Sequence, residues 1–293
     1  MPLQLHWAVN TAVSCFHTTE IVLRGWPLAD SGLRATMATP AQSLKGVLAT
    51  DGIAAIQFME HLIPLSSGQE SLLEVARAAL TKVAGRDRAD FRARRYFDLL
   101  EDLLVAFRSQ LTRLQEKWPL AKGRFEEQWL THGPTLLAGV ENQTEKGFVV
   151  KEAEAFVVQP VTGGGGAPHP RYHSFRIEGV AQDPEPALPE VLRLAWMAAS
   201  LNFLLPHYAD HFPTLQRTFA VGIRAVIPVV LTSAAELKLA ACDKGALQTA
   251  VNMWLPDPEP ELAAKLGHWW GAYQDTRPKW PLAVAALDRV LSR

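Results

Sequence analysis

Large apolar residues recur at alternating spacings of three and four from Phe97 through Leu100, Leu104, Phe107, Leu111 and Leu114 to Trp118. That spacing draws one continuous stripe on an α-helix, and no strand can use it. It predicts a long helix over about Ala89–Lys117, packed against other helices. Leu99 and Leu103 widen the stripe, which favours a bundle helix over a two-stranded coiled coil. Trp118-Pro119 is expected to end it.

Similar but shorter patterns predict further helices. One starts at Pro40 and carries Leu44, Val47 and Leu48; a second carries Ile53, Ile56, Phe58 and Met59 and stops before Pro64. Another opens after Ser66-Ser67-Gly68 and ends at Gly85, and Lys122 to Thr131 is a further candidate. Later in the chain the pattern predicts helices over Glu190–Leu205, Pro213–Ala220, Leu231–Ala241, Asp243–Met253, around Leu262–Tyr273, and from Trp280 to Leu291. Residues 1–26 are ambiguous: Leu5–Phe16 reads as a helix, Thr18–Trp26 as a strand or its helical continuation. Trp26–Thr39 reads as a loop.

The character changes near Gly133. Leu136–Val140, Gly147–Pro160 and Tyr172–Val180 carry strand signals, and His173, Phe175 and Ile177 alternate with Ser174, Arg176 and Glu178. Gly163-Gly164-Gly165-Gly166 lies between the last two, so an antiparallel pair joined by a mobile Gly-rich loop is expected. The fold class expected is therefore mainly α: bundle-like helical halves, 1–135 and 183–293, around a small antiparallel β insertion at about 136–180. The two halves could pack as one domain. No repeat of fixed period is present.

Length and composition support a folded protein and little more. In 293 residues, 48% are apolar and 20% charged, enough for a sizeable core. A net charge of −1 supplies no global field toward nucleic acid or an anionic membrane. Cys15 and Cys242, far apart in sequence, read as reduced thiols. The first sixteen residues have no basic segment ahead of their apolar ones, against a signal peptide. The apolar segment Phe219–Ala235 is interrupted by Arg224 and Pro228, against a bilayer span. A soluble cytoplasmic protein is expected.

No GxSxG, GxGxxG, Walker A, CxxC or HExxH signature occurs, so no positive case for an enzyme arises. The nine tryptophans are mostly core fillers on this reading, but Trp269 and Trp270 are adjacent and diverge by about 100° on a helix. One must pack against a second element or stay partly exposed. With Tyr273 and Trp280 they form the best candidate surface for another protein, since such rings anchor interfaces. The role expected is a non-enzymatic interaction or scaffold protein using helical and aromatic surfaces.

Two alternatives rest on other residues. His207 and His211, with Asp210 between them, would share a helical face and suit zinc in a metal-dependent enzyme, although no third ligand is identifiable. Arg88, Arg92 and Arg95 share a helical face beside Phe91 and Tyr96, which would suit RNA. Weaker patterns are His169/His173, broken by Pro170; the pairs His17/Glu20 and Glu60/His61, which would suit a di-metal helical site if they faced each other; and Cys15 beside His17. The Gly run could cradle a phosphate, but it lacks the Lys-Ser/Thr of a P-loop; a hairpin tip is the simpler reading.

Overall fold

The chain opens with a strand. In a computed structural model describing residues 3–68, 71–111, 118–180, 182–256 and 258–292, β1 (Gln4–Val9) leads straight into α1 (Thr11–Arg24). Asn10 makes the switch: its side-chain oxygen accepts from the amides of Ala12 and Val13 at 2.8 and 3.1 Å, a standard N-cap. The helix expected over Leu5–Phe16 is thus half strand, and the Thr18–Trp26 segment is its helical continuation.

Four helices follow: α2 (Ser31–Thr50), α3 (Ala55–Leu65), α4 (Leu72–Ala84) and α5 (Arg86–Arg108). Asp30, read in the sequence as part of a loop, instead caps α2 by accepting from the Leu33 amide at 3.0 Å. α5 buries Leu100, Leu104 and Phe107 of the stripe together with Ala93, Tyr96 and Leu103, while Phe97, the first residue of the stripe, is only half-buried. It ends at Arg108, short of the expected Lys117: the Gln110 amide bonds back to Phe107, a tighter turn than the α-helix allows. Leu111 still reaches the same core; Leu114 lies outside the described residues.

α6 (Trp118–Gln143) starts where the stripe was expected to end, because a proline is tolerated in a helix's first turn. It absorbs Leu136–Val140, so that segment is not a strand. Apolar runs this short do not distinguish helix from strand. Gly139 has a tertiary reason: a Cβ there would sit 2.9 Å from the Cβ of Ser233 on the helix packed against it.

Three more strands follow, β2 (Glu152–Val158), β3 (Gly166–His169) and β4 (Ser174–Glu178), with a single 3-10 turn at Pro170–Tyr172 between the last two. The sheet order is β1-β2-β4-β3. β1, β2 and β4 are mutually parallel and β3 runs antiparallel at the edge. The expected antiparallel pairing of Gly147–Pro160 with Tyr172–Val180 is therefore wrong in direction: β4 enters beside β2 in parallel, after the chain has gone out to β3 and back.

The remainder is helical: α7 (Glu190–Ala199), the one-turn α8 (Pro206–Ala209), α9 (Leu215–Glu236), α10 (Lys244–Trp254), α11 (Leu262–Thr276) and α12 (Trp280–Leu291). Mainly α with a small β element describes the result, twelve helices and four strands among the described residues. α9 alone there is long and apolar enough to cross a membrane, and most of it is buried inside the protein.

Both faces of the sheet are covered. Ala153, Ala155, Val157, Phe175 and Ile177 face a core built with α6, α7 and α9–α12. Phe156 and Val158 face a second core built from α1–α5. Burial on both faces is what parallel strands require. It also places the polar alternates of β4, Ser174, Arg176 and Glu178, inside the molecule instead of in water.

Candidate functional site

Those residues meet α1. His17 and Glu20 lie three apart on α1 and share a face; Arg24, one turn further, joins them. The Glu178 carboxylate accepts from His17 Nε2 at 2.9 Å, and Arg176 donates through Nε to His17 Nδ1 at 3.0 Å. With Nδ1 an acceptor, Nε2 carries the hydrogen that Glu178 receives. Arg176 also donates to Glu20 and, at 2.9 Å, to His169 Nε2. Arg24 holds the other oxygen of Glu20 at 2.8 Å through Nε. His17, Glu20, His169, Arg176 and Glu178 are all buried.

Glu178 closes β4, and the β2–β3 connection wraps around it. Its oxygens accept from the Thr162 amide and hydroxyl at 2.9 and 3.0 Å, and from the Gly164 and Gly165 amides at 2.8 and 3.0 Å. Gly164 has φ 141°, open to glycine alone, and this turns its amide inward. On the outer side Arg193, buried and paired with Glu190, donates to the Gly165 carbonyl at 3.0 Å. The Gly-rich loop is therefore held from both sides, and is no free hairpin tip. Its amides do cradle an anion, and that anion is the protein's own Glu178. The carboxyl ends of parallel strands are where open α/β sheets place ligands; here a side chain fills the position.

Charge follows from this packing. Burial would raise the Glu178 pKa, but His17 and the loop amides reverse it and hold the carboxyl far below its usual range. Burial acts on Glu20 likewise and is outweighed by Arg176 and Arg24, leaving it lowered. Burial and the Arg176 charge hold His169 well below an ordinary imidazole. A group whose folded pKa is depressed binds fewer protons than in the unfolded chain, so acid destabilises the fold. Through these groups stability should be complete above pH ~6.5, begin to fall below it as the unfolded His169 takes up a proton, and fall again through the carboxylate range near pH ~4, where Glu60 and Glu190, raised by burial, act in the opposite direction. His61, also lowered by burial, contributes to the first step. Urea midpoints at pH 8, 6 and 5 check this; His169→Asn should flatten the first step.

The pairs His17/Glu20 and Glu60/His61 do come onto neighbouring helices, α1 and α3. Glu20 is close enough to Glu60 to raise its pKa, after burial the next cause of the shift. Between the carboxylates and imidazoles of the centre stands the Arg176 guanidinium, the cation that the cluster holds. Among the described residues no group of three His, Cys, Asp or Glu has metal-binding placement.

The other expected positions lie elsewhere. His207 is on α8 and touches Glu145 at 3.3 Å; the helix stops at Ala209, so Asp210 and His211 sit in the following turn and the shared helical face is lost. Arg92 faces Asp51 at 3.4 Å, while Arg88 and Arg95 are exposed. Trp269, Trp270, Tyr273 and Trp280 are buried together, with Trp269 and Trp270 only 5% and 7% exposed. Trp269 donates to the Ala283 carbonyl on α12 and Trp270 to the Thr232 hydroxyl on α9. Each of the adjacent rings has found its own element to pack against, so neither is the open anchor the sequence suggested. Cys15 is buried beside Thr19, and burial pushes its thiol up, away from thiolate chemistry.

Sequence reasoning missed Arg176 and Glu178 as a site. Their alternation with Phe175 and Ile177 reads as a half-exposed strand, and only the second helical layer makes them internal. Compared with known proteins, the chain matches no family model, no curated protein and no solved structure.

Proposed function

We propose that this is a non-enzymatic interaction protein of the cytoplasm, a rigid helical frame that binds another protein through an outer helix face. The observation that carries the reading is Phe91, 88% exposed on α5. Arg88 and Arg95 stand three residues before it and four after it on the same face, and Val105, 61% exposed, lies further along that face beyond the exposed Asp98 and Asp102. Leaving such a ring in water forgoes on the order of 1.5–3 kcal/mol that a partner could recover. Aromatic and arginine side chains are the ones that dominate interface energies. The polar centre supports the same reading from the other side: its acids, bases and imidazoles are bonded to one another and closed to a substrate. Phe91→Ala should leave the melting temperature unchanged and reduce capture of a protein partner at least tenfold. Undiminished capture by the variant contradicts the proposal.

Exposed Arg88 and Arg95 beside an open ring also suit single-stranded RNA, where bases stack on aromatic faces. That reading requires affinity to fall with salt with a log–log slope of about −0.7 per phosphate contact. Binding insensitive to salt removes it.

A further inference from the structure

Away from α5, a cleft of about 350 Å³ opens between the two helical layers, lined by His61, Lys82, Arg171, Tyr172, Leu204 and Leu215. Its parts come from distant places: His61 from α3, Lys82 from the last turn of α4, Arg171 and Tyr172 from the 3-10 turn after β3, Leu204 from the segment before α8, and Leu215 from the start of α9. Junctions of this kind are where small-molecule sites concentrate, and the volume lies at the lower end of their range.

The polar lining is one-sided. It holds two cations and an imidazole, and no carboxylate. Among the described residues neither Lys82 nor Arg171 has an ion-pair or hydrogen-bond partner. Glu60, next to His61 in sequence, is turned about 100° from it on α3 and does not line the cleft, but it lies near enough for the Arg171 charge to act on its carboxyl. Tyr172 bonds His61 Nδ1 at 2.6 Å. Burial pushes the phenol up to about 12, so the hydroxyl keeps its proton. The cleft thus offers an ammonium, a guanidinium and an imidazole on one side. On the other, Leu204 and the partly exposed Leu215 supply an apolar wall.

We propose that this cleft binds a small organic anion, a phosphate or carboxylate group carried on a short apolar body. The anion would meet Arg171, Lys82 and His61, and the body would lie on Leu204 and Leu215. A guanidinium takes either oxyanion in a two-pronged contact and an ammonium adds a point charge, so the cations recognise the shared chemistry.

The test titrates the full chain with hexyl phosphate, hexanoate, inorganic phosphate and hexanol, followed by the His61 and Tyr172 ring signals in NMR. Hexyl phosphate or hexanoate should bind at least roughly tenfold more tightly than inorganic phosphate or hexanol, because only they satisfy both walls. The stronger of the two identifies the headgroup. Arg171→Gln should weaken that ligand at least tenfold with the melting temperature unchanged. Leu215→Asn should remove the advantage of the hexyl chain and leave inorganic phosphate where it was. Equal weak binding of all four probes, or tight binding indifferent to Arg171→Gln, overturns the proposal.

Discussion

Arg176→Leu should lower the folding free energy by about 3–5 kcal/mol, the usual result of removing one partner from a buried ion pair. The loss has three parts. Glu20 remains buried with Arg24 as its only guanidinium, and His17 Nδ1 and His169 Nε2 each lose their donor. The readout is the urea midpoint with the slope unchanged, which reports stability apart from any change in the unfolded state. Replacing the pair together, Arg176→Met with Glu20→Met, should recover part of the loss, because two apolar groups of similar size carry no stranded charge. A loss below about 1 kcal/mol in the single variant would mean that water reaches the centre and the closure described here is wrong.

Trp269→Ala and Trp270→Ala should each cost about 3–5 kcal/mol, the range for truncating a large buried ring. Both sit in a stack with Tyr273, whose hydroxyl donates to the Gln143 carbonyl at 2.8 Å and so ties α11 to the end of α6. Trp280 meets Trp269 and Tyr273 edge-on or tilted. Loss of either indole opens a cavity where α9, α11 and α12 meet. The variants that still fold should bind any protein partner as the parent does; a variant with unchanged stability and weakened binding would return these rings to the surface.

The helices were legible because each buries a stripe at a spacing only a helix can use. Leu100, Leu103, Leu104 and Phe107 needed nothing beyond local periodicity, whereas the stripe began at Phe97 and the structure buries Tyr96 in its place. Two helix starts were not legible: Asn10 fell inside the expected helix Leu5–Phe16 and Asp30 inside the expected loop Trp26–Thr39, and only their amide partners mark them as caps. The direction of β4 was illegible, since parallel and antiparallel pairing share the same two-residue alternation and differ only in where the chain returns. The candidate site failed in the same way. The spacing of His17 and Glu20 was visible, but Arg176 and Glu178 lie more than 150 residues on and enter through the fold alone. The adjacent tryptophans show the converse. Their divergence was read correctly, but the second partner, Thr232 on α9, could not be seen from the sequence.

At the heart of this account is a closed polar centre that locks the Gly-rich loop. Native-state hydrogen exchange at the Gly164 and Gly165 amides tests that most directly. Bonded to the buried carboxylate of Glu178, both should exchange only when the molecule opens globally, with the same opening free energy as core amides of β2. Exchange at the rate of an unprotected loop would contradict the account and restore the flexible hairpin that the glycines alone suggest.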